Sequence, residues 1–410
     1  MPNAYVSFGA VGDVACSGEI GRLMLERGGQ WPFERATPVL ARADLLFGNM
    51  ESVSVPPDVP AERFESGAAV LLSIPPGPFC AQALRQAGFG FLNLAANHVL
   101  DAGRVGMEYT QRCLEEAGIA TAGVGRTQTE ARRLRVVERG GLSFGFLCYA
   151  EDSNYILGHR ENSHAFYELE SILQDVAENR SRVDILVVSI HADLEFMPTP
   201  SLPRLRAARE IARAGAKIVL QHHPHVPQGV EMAHGALIAH SLGNFVFPAH
   251  TFPYMRDNGP HTASTFLLLA QVTRQGVASF ERIPFRINEP PEERPTPLTG
   301  AAAAEMLAYF AQLDAWLQDE AFVRKTWRDI SKRHLAVYLK RAAKQLETRG
   351  VDDVIEDIVA RLCLVAENRS WLGEVLEAAR EHWAVQQRSD ASWRRPLAIE
   401  QSRLASRPPT

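Results

Sequence analysis

Histidine is concentrated in one part of the sequence. Seven of the thirteen histidines fall between His191 and His250, within a chain of 410 residues. Imidazole is the commonest metal ligand in proteins and the usual acid or base near neutral pH. We therefore expect the chemistry of this protein to depend on this region.

Acidic, amide and imidazole side chains follow directly after five apolar runs of the sequence. These candidate ligands are Asp13, Glu51, Asn97, His191, His223 and His225. Ligands of parallel α/β sheets gather beyond the carboxyl ends of the strands, so we expect the six side chains to meet at one edge.

The chemistry of these side chains predicts a divalent metal centre. They offer oxygen and nitrogen but no thiolate, which suits Mn, Fe or Zn. Six ligands are enough for two ions about 3.5–4 Å apart, with a carboxylate such as Glu51 between them. Water activated by the metal is the expected nucleophile.

The order of the motifs resembles a known family. The residues that carry the resemblance are Gly12-Asp13; Asn49 and Glu51; Asn97-His98 with Asp101, Gly103 and Gly106; His191 and Glu195; His223-Pro224-His225-Val226 with Gln228, Gly229 and Glu231; and Ser241-Leu242-Gly243-Asn244-Phe245. Over about residues 4–250 this series resembles the CapA (poly-γ-glutamate capsule synthesis) family of the calcineurin-like metallophosphatase superfamily. The resemblance implies an α/β fold, a four-layer α/β/β/α sandwich, to which this chain adds a C-terminal helical extension.

The resemblance also implies a role for each residue. Asp13 and His225 would bind the first metal. Asn97, His191 and His223 would bind the second, and Glu51 would bridge the two metals. His98 resembles the superfamily's catalytic histidine, and Asp101 is expected to orient its imidazole.

Several positions depart from the family pattern, and they surround the expected site. Metallophosphatases usually carry Asp-x-His at the first strand, but here Val14 and Ala15 follow Asp13, so the first metal loses a ligand. Either one or two ions per chain are therefore expected. The other departures are Ala192-Asp193 in place of Trp-Gly, Gln221 in place of Gly, and His240 in place of Tyr.

Further polar residues are candidates for substrate binding. They are Asn49, Glu195, His240 and Asn244. For the two asparagines, ordering of the loops is the favoured alternative, and Glu195 fits a structural role equally well. The remaining histidines of the region, His222, His234 and His250, are interpreted as structural, and a structural role is also the favoured alternative for His240. Three arginines predict the exposed face of a helix: Arg204, Arg206 and Arg209. The alternative is that they bind an anionic substrate.

Composition argues against nucleic-acid and membrane partners. The net charge of −5 gives no basic face, and no apolar stretch approaches the roughly 20 residues that cross a bilayer. The N-terminal residues lack the pattern of a secretory signal. Five scattered cysteines without a C-x-x-C pair predict reduced thiols. We expect a cytoplasmic protein that acts on a small-molecule or peptide-like substrate.

The elements that must position these residues alternate between strands and helices. Apolar runs predict strands at Ala4–Val11, Asp44–Phe47, Phe89–Leu94, Leu142–Tyr149, Val183–Ile190, Lys217–Leu220 and Ala236–Ala239. Amphipathic stretches predict helices at Pro78–Ala87, Val105–Ala117 and Leu202–Ala214. Phe266–Val272 and Ala278–Ile287 predict an antiparallel hairpin. This alternation predicts a sheet covered on both faces.

The chain divides into four predicted parts. Residues 1–287 form the CapA-like metallophosphatase-fold domain, 288–300 a proline-rich linker, 301–386 a helical extension, and 387–410 a flexible tail. An apolar stripe opens the extension at Leu307, Phe310, Leu313 and Leu317, and similar stripes continue to Leu362. The helices are expected to pack on the domain or on a second copy in a homo-oligomer.

These observations favour a metal-dependent hydrolase with His98 as acid or base. The target is an amide or peptide-type bond, resembling a γ-glutamyl bond, or a phosphoester, and the incomplete first metal site favours the amide. One alternative is a non-catalytic accessory protein in the biosynthesis of an anionic capsule polymer, poly-γ-glutamate. Another is a metal-binding scaffold whose helical extension docks a partner.

Overall fold

The computed structural model describes residues 5–60, 71–151, 164–359 and 366–386. Its strands are β1 (Val6–Val14), β2 (Leu45–Met50), β3 (Phe89–Asn93), β4 (Ala120–Ala122), β5 (Arg135–Arg139), β6 (Leu142–Ala150), β7 (Ile185–His191), β8 (Ile218–His222), β9 (Val230–Ala233), β10 (Ala236–Ala239), β11 (Asn244–Val246), β12 (Ser264–Thr273), β13 (Gly276–Ile287) and β14 (Pro295–Pro297). Its helices are α1 (Gly18–Arg27), α2 (Thr37–Leu40), α3 (Gly77–Gln86), α4 (Gly103–Glu116), α5 (Gln128–Ala131), α6 (Leu169–Asn179), α7 (Leu202–Ala214), α8 (Pro253–Asn258), α9 (Gly300–Leu317), α10 (Glu320–Leu346), α11 (Val351–Ile358) and α12 (Ala366–Gln386).

The first sheet has the strand order β14-β13-β12-β1-β2-β3-β4, and β11 pairs with the end of β1. Strands β1 to β4 are parallel, whereas β12, β13 and β14 run antiparallel to their neighbours. Side chains alternate between the two faces: on β12, Phe266 and Leu268 face the second sheet, and Leu267 and Leu269 face the helices. Both faces of this sheet are therefore apolar.

The second sheet has the order β5-β6-β7-β8-β10-β9. Its four central strands are parallel, and the edge strands β5 and β9 are antiparallel. On β7, Val187 faces the first sheet while Leu186 and Val188 face the helices. A nearly continuous apolar run is typical of a strand that is buried on both faces.

The two sheets face each other across a phenylalanine-rich core. Phe8, Phe47 and Phe91 of the first sheet pack against Phe144 and Phe146 of the second, and the ring centroids of Phe91 and Phe146 lie 3.7 Å apart. Each such side chain contributes about 1.5–3 kcal/mol through burial. Helices α1, α3 and α4 cover the outer face of the first sheet, and α6 and α7 cover that of the second. The protein is a mixed α/β sandwich.

The seven strands, three helices and the hairpin predicted above are all present, with their ends shifted by at most three residues. Ala4, where the first predicted strand begins, lies outside the described residues. Strands β4 and β11 were not predicted, because three residues are too few to show a pattern. Strands β5 and β9 were not predicted because they are partly exposed edge strands and do not form continuous apolar runs.

Residues 288–300, predicted as a linker, pack against the first sheet. Pro295–Pro297 pairs with Phe285–Ile287 at the sheet edge, where proline is tolerated. Glu293 is fully buried and accepts hydrogen bonds from the backbone nitrogens of His250 and Thr251. The segment is an edge strand and loop of the sandwich rather than a spacer.

The C-terminal helices pack on the α/β sandwich. On α9, Phe310, Leu313 and Leu317 are buried as predicted, but Leu307 is 41% exposed and Met306 packs in its place. On α10, Trp327 packs near Leu194 and Met197, and its Nε1 donates to the Thr199 carbonyl at 3.1 Å. The extension therefore contacts the loop that follows β7.

Some residues of the predicted apolar stripes are exposed, and others lie outside the described residues. Leu339 and Ile355 are more than half exposed, in contrast to the predicted stripe. Leu362 and residues 387–410 lie outside the described residues. Within the part of the chain that the structure describes, every helix is too short or too polar to span a lipid bilayer.

Candidate metal centre

The predicted ligands lie at the carboxyl ends of strands from both sheets. Asp13 of β1 pairs with Asn49 of β2 and Asn244 of β11. His191, the last residue of β7, is paired with His222 of β8. The other predicted ligands, in the loops after β2, β3 and β8, are Glu51, Asn97, His223 and His225.

The carboxylates and imidazoles of the centre have a spacing that suits a shared cation. Asp13 Oδ2 lies 3.5 Å from His225 Nδ1, and Glu51 Oε1 lies 3.5 Å from His225 Nε2 and 3.8 Å from His191 Nε2. These separations are too long for good hydrogen bonds. The two Glu51 distances, both to Nε2 atoms, are close to the roughly 3–3.5 Å that separates nitrogen and oxygen ligands of one tetrahedral ion.

Three triads in the described residues have ligand atoms that all lie within 4.8 Å of one another. They are Asp13, Glu51 and His225; Glu51, His191 and His223; and Glu195, His223 and His225. The triads share members, so the residues form one continuous cluster rather than separate pockets.

The centre is buried, and its carboxylates lack hydrogen-bond partners. Asp13, Glu51, His191 and His225 are each 1% exposed. Within the described chain, neither oxygen of Glu51 accepts a hydrogen bond, nor does Oδ2 of Asp13. A buried carboxylate is costly unless it is paired or coordinates a metal. The donor set therefore fits a divalent cation.

Burial and neighbouring charges shift the pKa values of these groups. Burial raises the pKa of Glu51 to about 7, opposed by the charge of His225. Burial and the neighbouring histidines hold the pKa of His191 well below its usual value, which favours the neutral form that binds metals. For His225, burial is outweighed by Glu51 and Glu195, and the pKa rises to about 10. A proton on His225 thus balances the carboxylates, and a bound cation would displace it.

The two loops that carry the histidines have a strained backbone. His223 and His225 have φ of 96° and 56°, and Asp193 and Phe196 in the loop after β7 have φ of 92° and 61°. A left-handed conformation costs non-glycine residues about 1–3 kcal/mol, and such strain clusters at functional sites. Strained residues are therefore concentrated in the two loops beside the cluster.

Two glycines allow the end of β1 to approach the loop before β11. A Cβ on Gly12 would lie 1.7 Å from the carbonyl oxygen of Gly243, and that oxygen accepts a hydrogen bond from the Asp13 nitrogen at 2.9 Å. Gly243 itself has a φ of 72°, which favours glycine. The glycines of the first and last motifs therefore fix the position of Asp13.

Two buried asparagines contact the predicted ligands through their side-chain amides. Asn49 Nδ2 donates to Asp13 Oδ1 at 2.8 Å and lies 3.0 Å from His191 Nδ1. Asn244 Oδ1 lies 2.9 Å from His225 Nδ1. Both asparagines are fully buried. Their contacts fit the loop-ordering alternative rather than contact with a substrate.

Asn49 is itself held by a residue that was not predicted. Asn93 Nδ2 donates to Asn49 Oδ1 at 2.6 Å. Asn93 is the last residue of β3. It lies inside the apolar run that was predicted as a strand, and a polar side chain within such a run is a signal that sequence reasoning missed.

His98 and Asp101 form a pair beside the centre. His98 Nδ1 and Asp101 Oδ2 lie 2.6 Å apart, and the same oxygen accepts from the Leu71 nitrogen. This geometry is the one expected if Asp101 orients the imidazole. Asn97, the preceding residue, has its Oδ1 3.0 Å from His191 Nε2.

The structure brings Glu195 to the centre but gives His240 other partners. Glu195 Oε1 lies 3.6 Å from His225 Nε2, and its second oxygen accepts from the Tyr254 hydroxyl. Burial opposes ionisation of Glu195, but the histidines outweigh it and lower the pKa to about 2. His240 is buried, with its nitrogens 2.9 Å from Gln221 Nε2 and 3.1 Å from Glu231 Oε1.

The predicted arginine face is exposed only in part. Arg206 is exposed and pairs with Glu320. Arg204 is 9% exposed and pairs with Glu151, while Arg209 makes two hydrogen bonds to Glu231. Two of the three arginines therefore anchor α7.

Comparison with known proteins gives the family. The family described as "Bacterial capsule synthesis protein PGA_cap" matches residues 7–249, more than half of the chain. The chain belongs to the PGA_cap family. The match ends just before α8, so α9 to α12 lie beyond the region that the family describes.

Two relatives cover most of this PGA_cap chain. "PGA biosynthesis protein CapA" of Bacillus subtilis (strain 168) is 25% identical over 283 residues, 68% of this chain and 71% of its own length. "Capsule biosynthesis protein CapA" of Bacillus anthracis is 24% identical over 306 residues, 73% of this chain and 71% of its own length. A hypothetical protein from Thermus thermophilus has a crystal structure with a TM-score of 0.43 and 13% identity, covering 68% of this chain and 99% of its own.

Proposed function

We propose that this protein is a metal-dependent hydrolase of the calcineurin-like metallophosphatase type. The observation that carries the proposal is the spacing of 3.5–3.8 Å between imidazoles and buried carboxylates whose facing oxygens accept no hydrogen bond from the described residues. The two facing sheets with helices on both outer faces support the four-layer metallophosphatase arrangement. One or two ions of Mn, Fe or Zn fit this oxygen and nitrogen donor set.

In this proposal the residues have two roles, metal binding and proton transfer. Asp13, Glu51, His191, His223 and His225 hold the cation, with Asn97 as an amide ligand. A divalent ion there would polarise the scissile bond and provide a nucleophile from water near neutral pH. His98 donates a proton to the leaving group or stabilises its charge, and Asp101 fixes the tautomer through Nδ1.

The substrate is proposed to be an amide or peptide-type bond of the γ-glutamyl kind, with a phosphoester as the second candidate. Support for the first comes from the names of the two relatives, which refer to PGA and capsule biosynthesis. Support for the second comes from the metallophosphatase-like arrangement. A non-catalytic accessory role in capsule polymer biosynthesis is the alternative, and it requires no turnover.

A reconstitution experiment separates these possibilities. The full chain is freed of metal, loaded with Mn²⁺, Fe²⁺ or Zn²⁺, and assayed on aryl phosphate esters, γ-glutamyl anilides and γ-linked glutamate oligomers. We expect metal-dependent turnover of one bond class, and a kcat that falls about 10²- to 10⁴-fold in His98→Ala with metal content unchanged. His234→Ala, in the exposed turn between β9 and β10, is the matched control.

Two other outcomes contradict the proposal in different ways. Metal bound at stoichiometric amounts without turnover of any bond class favours the accessory protein or the scaffold. A chain that retains no metal at all removes the basis of the hydrolase mechanism.

A further inference from the structure

Glu195 lies between the histidine loop and the protein surface. Its side chain is 14% exposed, whereas those of Asp13, Glu51 and His225 are at most 1% exposed. It also lines, together with Tyr254, a cavity between the sandwich and α10. Glu195 is therefore the most accessible carboxylate of the cluster.

The backbone fixes the position of Glu195 against the histidine loop. The nitrogen of Phe196, the next residue, donates to the carbonyl of Pro224 at 2.8 Å. Pro224 lies between His223 and His225. Phe196 also has a φ of 61°, and such a strained conformation persists only where the surrounding structure holds it. This hydrogen bond holds Glu195 beside the two imidazoles.

One nitrogen of His225 faces two carboxylates. The other, Nδ1, lies 2.9 Å from Asn244 Oδ1, which leaves Nε2 for a different partner. Nε2 lies 3.6 Å from Glu195 Oε1 and 3.5 Å from Glu51 Oε1. Both distances are longer than a good hydrogen bond and close to the roughly 3–3.5 Å between nitrogen and oxygen ligands of one tetrahedral ion. Glu195 thus has the same relation to Nε2 as the proposed ligand Glu51.

His223 completes a set of three ligand atoms around this position. In the part of the chain that the structure describes, one ligand atom each of Glu195, His223 and His225 lies within 4.8 Å of the other two. Two histidines and one glutamate are the protein ligands of known catalytic zinc sites, in which water or substrate takes the fourth position. The cavity that Glu195 lines would admit such a fourth ligand.

We infer that Glu195 is a metal ligand, and that with His223 and His225 it holds a cation on the cavity side of the centre. The inference rests on the proposed metal centre and adds Glu195 to its ligands. Because His225 Nε2 can bind only one ion, this cation is one of the one or two ions already proposed. The role differs from both the substrate contact and the structural role that the sequence left open for Glu195.

The arrangement assigns a different task to each oxygen of Glu195. Oε1 faces the ion, while Oε2 accepts a hydrogen bond from the Tyr254 hydroxyl, so Tyr254 positions the carboxylate. One carboxylate and two imidazoles favour Zn²⁺ or Fe²⁺ over Mg²⁺ or Ca²⁺, which prefer oxygen ligands.

The test measures metal binding and needs no substrate. Metal-free full-length protein is titrated with Zn²⁺ by calorimetry, as wild type and as Glu195→Gln, Glu195→Asp and Glu138→Gln. Glu138, exposed on the edge strand β5, is the matched control. We expect a loss of affinity of at least about tenfold in both Glu195 variants, as for residues that hold a metal ligand in place, and wild-type affinity in Glu138→Gln.

A second readout separates coordination from the effect of a nearby charge. Glu195→Gln keeps the size of the side chain and removes its charge, whereas Glu195→Asp keeps the charge and withdraws the oxygens by one methylene. With Co²⁺ as the probe, both variants should change the visible absorption spectrum, because the set of ligands changes. If Glu195→Gln does not fold, as judged by its melting curve without metal, Glu195→Asp carries the comparison.

An unchanged Co²⁺ spectrum in the folded variants would overturn the inference even where Zn²⁺ affinity falls, since loss of a nearby charge alone weakens cation binding. The proposed function would remain intact in that case. The absence of Zn²⁺ binding by the wild type would overturn both.

Discussion

At the scale of single residues, the directions of the His191 and His225 rings are set by neighbouring asparagines that are not among the acidic and imidazole groups of the cluster. Asn244 is the clearest case, because its Oδ1 lies 2.9 Å from His225 Nδ1 while its Nδ2 donates to the Thr262 carbonyl at 3.0 Å. Contacts therefore hold both the oxygen and the nitrogen of its side-chain amide. His225 Nδ1 can donate to this oxygen and leave Nε2 directed at Glu51 and Glu195.

We expect Asn244→Ala to weaken metal binding about 10- to 100-fold, the usual effect of removing a residue that orients a ligand. The His225 ring would lose its fixed tautomer and orientation. Equilibrium dialysis of the metal-free protein against Zn²⁺ measures the change, and Gln275→Ala, in an exposed turn, is the control. An Asn244→Ala protein with unaltered affinity would show that the contact is not needed to direct the ring.

The sequence was sufficient to predict that acidic and imidazole side chains after the strands would cluster, because such a side chain after an apolar run stands out. It was not sufficient to separate His222 from His240. Both are histidines at the ends of buried strands, but one faces Asp13 and the other faces Glu231. Only the packing of the two sheets decides which buried histidine reaches the centre.

At the scale of elements, the position of Asp13 depends on the close approach of β1 to the loop before β11. Gly12 has no room for a Cβ, since the obstructing atom is the backbone oxygen of Gly243 rather than a flexible side chain. Long strands such as β1, β7 and β12 could be predicted from their apolar runs. This contact could not, because it joins residues more than 200 positions apart that show no pattern of their own.

Gly12→Ala should destabilise the protein by about 1–3 kcal/mol or more, because the backbone must move to admit one methyl group. Denaturant unfolding measures the change, and metal affinity should fall with it since Asp13 moves. Gly373→Ala on α12 is the matched control: no atom lies within 4 Å of its Cβ, and alanine in an exposed helix should stabilise by up to about 1 kcal/mol. Equal stability of Gly12→Ala and wild type would contradict the close contact.

The element α10 borders a cavity beside the centre. The cavity has a volume of about 520 Å³. Its lining includes Glu195, Phe196 and Tyr254 from the sandwich and Ile330, Arg333 and His334 from α10. Because Glu195 also lies 3.6 Å from His225, the cavity adjoins the candidate metal centre.

If the substrate is anionic and extends into this cavity, Arg333→Glu should raise KM about tenfold or more and change kcat by less than about twofold. The reversed charge repels the substrate, and Arg333 is not one of the proposed metal ligands, so metal content should stay constant. Steady-state kinetics on the substrate found by the screen gives both constants. Lys340→Glu, exposed on the same helix, is the control, and a KM equal in the two variants would place the substrate elsewhere.

At the scale of the whole molecule, the centre joins the two sheets. Asp13 and Glu51 belong to the first sheet and its loops, and His191, His223 and His225 to the second. A cation shared by these ligands therefore links both halves of the sandwich and relieves the burial of unpaired carboxylates. Folding stability should depend on metal for this reason.

Metal removal should lower the melting temperature. A ligand that binds only the folded state at 100 times its Kd adds about 2.7 kcal/mol to stability. Calorimetric melts of the protein with saturating Zn²⁺ and after chelation measure the difference. In Asp13→Asn and Glu51→Gln the dependence on metal should shrink, and equal melting temperatures of the metal-loaded and metal-free wild type would contradict the prediction.

The stability of the metal-free protein should also depend on pH through His164, which is not one of the proposed ligands. Burial lowers the pKa of His164 to about 4 from its usual 6.5, and the ring lies 2.7 Å from the Glu151 carbonyl through Nε2. The folded state therefore keeps the ring neutral between these two pH values, while the unfolded chain binds a proton. Stability is unaffected above pH 6.5 and falls as the pH drops towards 4, by up to about 3 kcal/mol.

His164→Gln keeps a donor for the Glu151 carbonyl and removes the titrating group. We expect the free energy of unfolding of this variant to fall less steeply between pH 6.5 and pH 4 than that of the wild type, with parallel curves above pH 7. Urea unfolding at a series of pH values, in the presence of chelator, measures both slopes. Because every other titrating group is common to the two proteins, the difference between the curves isolates His164, and identical slopes would mean that its ring is protonated in the folded protein as readily as in the unfolded chain.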